Sequence, residues 1–248
     1  LLIVIGGIGF NVILDVLHNG FDFKKYSLHS KIVLTTTVLM LSITSVLILA
    51  MEFLNPETIG NLSLADKISN SVFQAVTLRT AGFASIDQSK LLDSSSVLSI
   101  LNMFIGGSPA GTAGGIKTTT FALLIIVALS EIKGQEDVEV FNRRIRFSQV
   151  KKALAIITLS MVWVIFVTFA ILVIDKAKYL DVVYEVVSAF GTVGLTRSLT
   201  PTLNIISKIL IISTMYIGRV GSLTILFALS NTKNKKAYKE AHENIIIG

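Results

Sequence analysis

Apolar residues fall along the chain in runs of two lengths. Ile32 to Met51 is 20 residues without a charge, and Ala153 to Ile174 is 22. A helix rises about 1.5 Å per residue, so either run can cross a hydrocarbon core of about 30 Å. Each is followed by a shorter apolar stretch, near 64–78 and 181–191, that is too short to span. A polar loop comes next, then a second long apolar segment near 92–130 and 203–231. The pattern predicts an all-α membrane protein.

The two runs belong to a repeat. Sliding the chain by 112 residues aligns Thr80-Ala81-Gly82-Phe83 with Thr192-Val193-Gly194-Leu195, and Met103-Phe104-Ile105-Gly106-Gly107 with Met215-Tyr216-Ile217-Gly218-Arg219. The same offset brings Lys31 onto Arg143, and Ile5-Gly6-Gly7 reads like Ile105-Gly106-Gly107. Four segments follow: 1–17, the end of a preceding unit's second helix; 31–130 and 143–232, two complete units; and 233–248, a cytoplasmic tail. Both units enter and leave on one side, which makes the repeat parallel, unlike the inverted repeats of many rocking transporters.

Composition agrees with lipid as the solvent. Apolar residues are 52% of the 248 and charged residues 15%, against about 25% in soluble domains, and the mean hydropathy is +0.74. The net charge of +6 lies mostly in three segments: Lys24, Lys25 and Lys31; Lys133, Arg143, Arg144, Arg146, Lys151 and Lys152; and Lys233, Lys235, Lys236 and Lys239. The positive-inside rule makes these cytoplasmic. The middle segment also carries Glu131, Glu136, Asp137 and Glu139, so it is a mixed surface and not a nucleic-acid stripe. There is no cysteine, which excludes disulfides and thiol chemistry. His18, His29 and His242 are scattered and read as solvated interfacial residues, not metal ligands. The chain opens on Leu without the basic start of a signal peptide, so residue 1 is expected to lie inside a helix that begins before it.

A short apolar segment that returns to its own side reads as re-entrant, and unwound backbone at that depth must line a cavity or be buried in protein. Thr80, Ala81, Gly82 and Phe83, and Thr192, Val193, Gly194 and Leu195, follow the two short segments. Gly82 and Gly194 free the backbone to turn successive carbonyls toward one axis. Such carbonyls can replace a cation's hydration shell, with the negative end of a short helix aimed at the ion. The stretch Gly106, Gly107, Ser108, Pro109, Ala110, Gly111, Thr112, Ala113, Gly114, Gly115 is not a phosphate loop, because Ile116 separates Gly115 from Lys117. Gly7-Ile8-Gly9 lacks the third glycine of a dinucleotide fingerprint. The stretch 106–115 is instead expected to break its helix in mid-membrane and form a gate. Arg219, at matching depth in the next unit, projects a single cation toward the shared axis or is fixed by a carboxylate such as Glu185. Arg79 and Glu185 flank the filters and are expected to lock the short helices. Asp15 and Glu52 read as interfacial, and Trp163 as a packing or lipid-facing group.

The segments Arg79-Thr80-Ala81-Gly82-Phe83, Gly106 through Lys117-Thr118-Thr119-Thr120, Gly191-Thr192-Val193-Gly194-Leu195 and Gly218-Arg219-Val220-Gly221 resemble the Trk/Ktr/HKT superfamily of K⁺ transporters. The tail Glu243-Asn244-Ile245-Ile246-Ile247-Gly248 is most similar to the bacterial Ktr membrane subunits. The resemblance implies four such units around one pore, of which the chain holds the last two. It implies K⁺ as the transported ion, held by filter carbonyls, with Na⁺ as a coupling or activating ion and no resident cofactor. It also implies a homodimer in a bacterial plasma membrane and a cytosolic ring of nucleotide-binding regulatory subunits. A Na⁺-conducting relative and a secondary transporter of another small solute remain as alternatives. The parallel repeat and the lack of a substrate-sized polar cluster disfavour the latter. An intramembrane enzyme would need a Ser/Lys, Asp/Asp or His/Glu set at depth, and none is evident in the sequence.

Overall fold

The computed structural model describes residues 1–135 and 137–221. The tail 233–248, the end of the second long segment beyond 221, Glu136 and His242 lie outside the described residues. The chain runs α1 (Leu2–Ile8), α2 (Phe10–Asn19), α3 (Leu28–Glu52), α4 (Leu64–Thr77), α5 (Asp93–Phe104), α6 (Thr118–Ile132), β1 (Glu139–Val140), β2 (Arg143–Arg144), α7 (Phe147–Asp175), α8 (Tyr179–Phe190) and α9 (Ile205–Val220).

Among the described residues, only α3 and α7, at 25 and 29 residues, are single helices long and apolar enough to cross a membrane. Neither has a polar face. Val38, Ile43 and Val46 on α3, and Met161, Ile165 and Phe169 on α7, stay exposed, as expected where the neighbour is a lipid tail. Starts are set by caps: the Ser27 hydroxyl accepts from the Ser30 amide at 3.2 Å, and Asn204 accepts from the Ile206 amide at 3.0 Å. Ser63 opens α4 by accepting from the Asp66 amide at 3.3 Å while donating to its carboxylate at 2.7 Å.

The buried centre is α8, packed against α5, α7 and α9, with Tyr184 and Phe190 fully enclosed. Gly218 makes the α9 contact possible. A Cβ there would lie 1.8 Å from the Phe190 carbonyl oxygen. The first half is built alike, with α3 against α4, α5 and α6.

Two helices end at one register. Gly9 and Gly221 close α1 and α9 at φ 94° and 92°, and across Gly9 the axes of α1 and α2 differ by 97°. Aligning Gly6-Gly7 with Gly106-Gly107 and Gly218-Arg219 puts Pro109 at that position. Proline cannot adopt positive φ. There the helix has already stopped at Phe104, and the chain runs through a non-helical loop, 105–117, before α6. The offset of 112 does not extend to the long helices. Lys31 lies in the first turn of α3, but Arg143 pairs with Val140 in the β1–β2 hairpin that precedes α7.

Two exposed probes test the topology. A cysteine at Ser85 of the full-length protein should react with an impermeant reagent added outside intact cells, and one at Gln135 should not. The reverse labelling pattern would overturn the orientation.

Candidate functional site

Two turns carry the candidate chemistry. After α4 the chain folds back with the Ala81 amide on the Thr77 carbonyl at 3.1 Å, and the Thr77 hydroxyl bridges the Phe83 carbonyl (2.6 Å) and amide (2.9 Å). After α8 the Val193 amide donates to the Ser188 carbonyl at 2.9 Å, and the Gly194 amide to the Ser188 hydroxyl at 3.2 Å. Thr80 and Gly82 have φ of 65° and 74°, Thr192 and Gly194 of 54° and 91°. Positive φ is rare for a β-branched residue, so two threonines in it, 112 positions apart, mark a shared backbone path. Extended chains point successive carbonyls to opposite sides, and alternating the sign of φ brings them to one side. The turns abut, since a Cβ on Gly82 would fall 2.1 Å from the Val193 carbonyl oxygen. A Cβ on Gly194 would meet nothing within 4 Å. Both turns sit at helix C-termini, where partial negative charge favours a cation.

A polar clamp ties the units together outside the turns. Buried Gln74 donates to Gln88 at 2.6 Å, and the enclosed Tyr184 hydroxyl donates to the same Gln88 oxygen at 2.8 Å. Arg197, its side chain only 10% exposed, pairs with Asp181 at 2.7 Å. It also donates to the Gln88 carbonyl at 3.3 Å, the Leu91 carbonyl at 3.4 Å and the Ser96 hydroxyl. In the exposed loop beside Gln88, the hydroxyl and amide of Ser89 hold the Asp87 carboxyl below its usual range. Sequence reasoning passes over Arg197, Gln74, Gln88 and Tyr184. The available signal was Gln74, set within the apolar run 72–76 at the end of a short helix.

Other candidates are sorted by their partners. Glu185, 6% exposed, accepts from Thr196 at 2.6 Å and from Thr200. It fastens the loop after the second turn and does not meet Arg219. Glu52 is not interfacial but fully buried, accepting from Asn55 at 2.6 Å, Thr58 at 2.7 Å and the Leu92 amide at 3.0 Å. Trp163 donates to Thr214 at 3.2 Å. Arg79 is 5% exposed, and its Nε and Nη2 find no acceptor among the described residues. It lines a cavity of about 360 Å³ with Thr80, Ala81, Gly6, Gly7 and Thr112.

The segment 105–117 is held on every side. Its ends zip together, with the Gly106 amide on the Ile116 carbonyl at 2.8 Å and the Ile116 amide on the Phe104 carbonyl at 3.1 Å. Ser108 donates to the Gly7 carbonyl at 2.9 Å, and the Phe10 amide to the Ala110 carbonyl at 3.1 Å. Gly115 donates to the Gly218 carbonyl at 3.1 Å, and the Gly114 amide reaches the Thr192 hydroxyl at 3.1 Å. Arg219 donates to the Thr112 carbonyl and Lys117 to the Ala113 carbonyl next to it. The structure thus brings Thr192, the glycine-rich loop, Lys117 and Arg219 together directly beneath the second turn.

A family model described as TrkH, cation transport protein, matches residues 1–239. The chain is 42% identical to Ktr system potassium uptake protein B of Bacillus subtilis, over 94% of this chain and 52% of that protein. It is 40% identical to the potassium/sodium uptake protein NtpJ of Enterococcus hirae, over 100% and 56% respectively. Its fold matches the crystal structure of the potassium transporter TrkH from Vibrio parahaemolyticus with a TM-score of 0.74 at 18% identity, over 93% of this chain and 50% of that one. The chain spans about half the length of these relatives.

The clamp generates a stability test. Arg197→Ala leaves Asp181 and three acceptors buried without their donor, and should cost about 3 kcal/mol, read as earlier thermal unfolding of the full-length protein in detergent. Unfolding at the wild-type temperature would count against the clamp.

Proposed function

This chain belongs to the TrkH family of cation transport proteins, and we propose that it supplies two of the four units of a K⁺-conducting pore in the cell membrane, which it crosses several times. The relatives reported above are transporters and not enzymes. The observation that carries the reading is the pair of abutting turns with alternating φ, Thr80–Phe83 and Thr192–Leu195, at the ends of short buried helices. Their backbone carbonyls coordinate the ion, as a dehydrated monovalent cation requires. The alternation costs about 1–3 kcal/mol for each non-glycine residue at positive φ, and the clamp around Arg197 supports it from outside.

The gate is the segment Gly106–Gly115 with Lys117 and Arg219. It blocks the path sterically, while the two side chains add positive charge beneath the filter. Opening moves the loop aside and breaks the bonds to Thr192, Gly218 and Arg219. Arg79 and Glu185 support the filters from outside the ion path. The driver is a cytosolic ring of nucleotide-binding subunits that docks on 131–152 and on the tail, and the transporter works as a homodimer. Na⁺ serves as a coupling ion. NtpJ's printed name, a potassium/sodium uptake protein, favours a second reading in which the pore itself also passes Na⁺.

Two measurements on the full-length protein in a K⁺-uptake-deficient host test this. Gly194→Ala, whose Cβ has open space, should fold normally yet lose selectivity for K⁺ and Rb⁺ over Na⁺ several-fold through φ strain alone. Wild-type selectivity in that variant would remove the filter. Arg219→Ala should raise cation flux with selectivity intact. A well-expressed variant with unchanged flux and unchanged dependence on the regulatory subunit would remove the gate.

A further inference from the structure

Away from the ion path, α3, α5, α6 and the hairpin enclose an apolar cavity of about 590 Å³. It runs along α3 from Ile32 to Thr44, roughly 18 Å at 1.5 Å per residue. That length matches one leaflet, about half of a 30 Å hydrocarbon core. Its inner end is closed by Thr44 donating to Asn102 at 2.8 Å. Its flank is open, with Leu39, Ile43 and Leu101 more than half exposed at 59%, 55% and 58%.

The other end carries charge. Phe141 of the hairpin forms the rim and stacks edge-on with Phe23 at 6.1 Å, over whose ring Lys31 sits at 5.8 Å. Arg143 pairs across the hairpin with Val140, which also lines the cavity. Asp137 is taken by Arg144 at 2.6 Å, and neither Arg143 nor Lys31 has a carboxylate partner among the described residues. An apolar slot one leaflet long, open to lipid along its side and basic at its cytoplasmic mouth, fits one chemistry.

We propose that this cavity binds an acyl chain of an anionic inner-leaflet phospholipid, whose headgroup phosphate rests on Lys31 and Arg143. Ile105 and Phe121, which flank the two ends of the segment 105–117, both line the slot, so the chain packs against the points where that segment leaves its helices. The site is separate from the filter and does not depend on which ion is carried.

Electron paramagnetic resonance of the full-length protein in phosphatidylcholine nanodiscs tests it, using chain-labelled phosphatidylglycerol and phosphatidylcholine as probes. The motionally restricted signal should favour phosphatidylglycerol. Lys31→Gln and Arg143→Gln should each lower that preference roughly five-fold. Ile43→Trp, or Leu39→Trp should Ile43→Trp aggregate, should shrink the restricted signal of both lipids. Equal affinity in the wild type, a preference that survives the double charge variant, or a restricted signal that survives filling the slot each overturns the proposal. So does oxidative cross-linking of Leu39→Cys between two copies, which would make this face a protein contact instead.

Discussion

Hydrocarbon offers no partner to a backbone amide or carbonyl, and each one left bare costs several kcal/mol. This chain interrupts its helices in the middle of the apolar region, at Gly9, after Phe104 and after the two short helices. The rest of the architecture answers that constraint. The segment 105–117 finds acceptors for the amides of Gly106, Ser108, Gly114, Gly115 and Ile116 on four different parts of the chain. The turns after α4 and α8 close on side chains already buried there, Thr77 in one and Ser188 in the other. The break at 105–117 therefore helps tie the units to one another, because Ser108, Gly114 and Gly115 donate to groups of other units.

A second layer acts outside the turns. Gln74, Gln88, Tyr184 and Arg197 form a continuous set of bonds between the first and second unit, and Glu52 and Glu185 do the same within each unit's outer loop. Buried polar groups of this kind are high-stakes: satisfied they specify one arrangement, and half-satisfied they are worse than an apolar core. Their placement outside the turns separates two demands. The backbone bends at the turns, while side chains elsewhere hold the strained geometry.

How much of this was legible in the residues differs by feature. The turns and the broken helix were readable, because glycine and proline act through local backbone rules that hold whatever packs around them. The gap-free offset from the short helices onward was readable for the same reason. The long helices were legible as spans but not in register, since uniform hydrophobicity carries no phase, and the hairpin at 139–144 absorbs the difference. Arg197, Gln88 and Glu52 were missed or misplaced. Arg197 and Gln88 sit in polar loops and Glu52 ends a long apolar helix, and only the tertiary structure shows that the outer loops fold inward and bury all three.

The contact between Arg219, Lys117 and the carbonyls of Thr112 and Ala113 has a further consequence. Two like charges secure adjacent groups, and they repel each other while doing so. Each bond is favourable by itself, yet the pair is weaker than two such bonds set apart. The consequence is kinetic. Repulsion speeds the release of whichever half lets go first, and the half that remains is then relieved of it; in the proposed pore a cation arriving from the filter side adds to the push. On that reading, occupancy of the path above and the lifetime of the fastening below are linked through bare Coulomb repulsion, with no moving part between them.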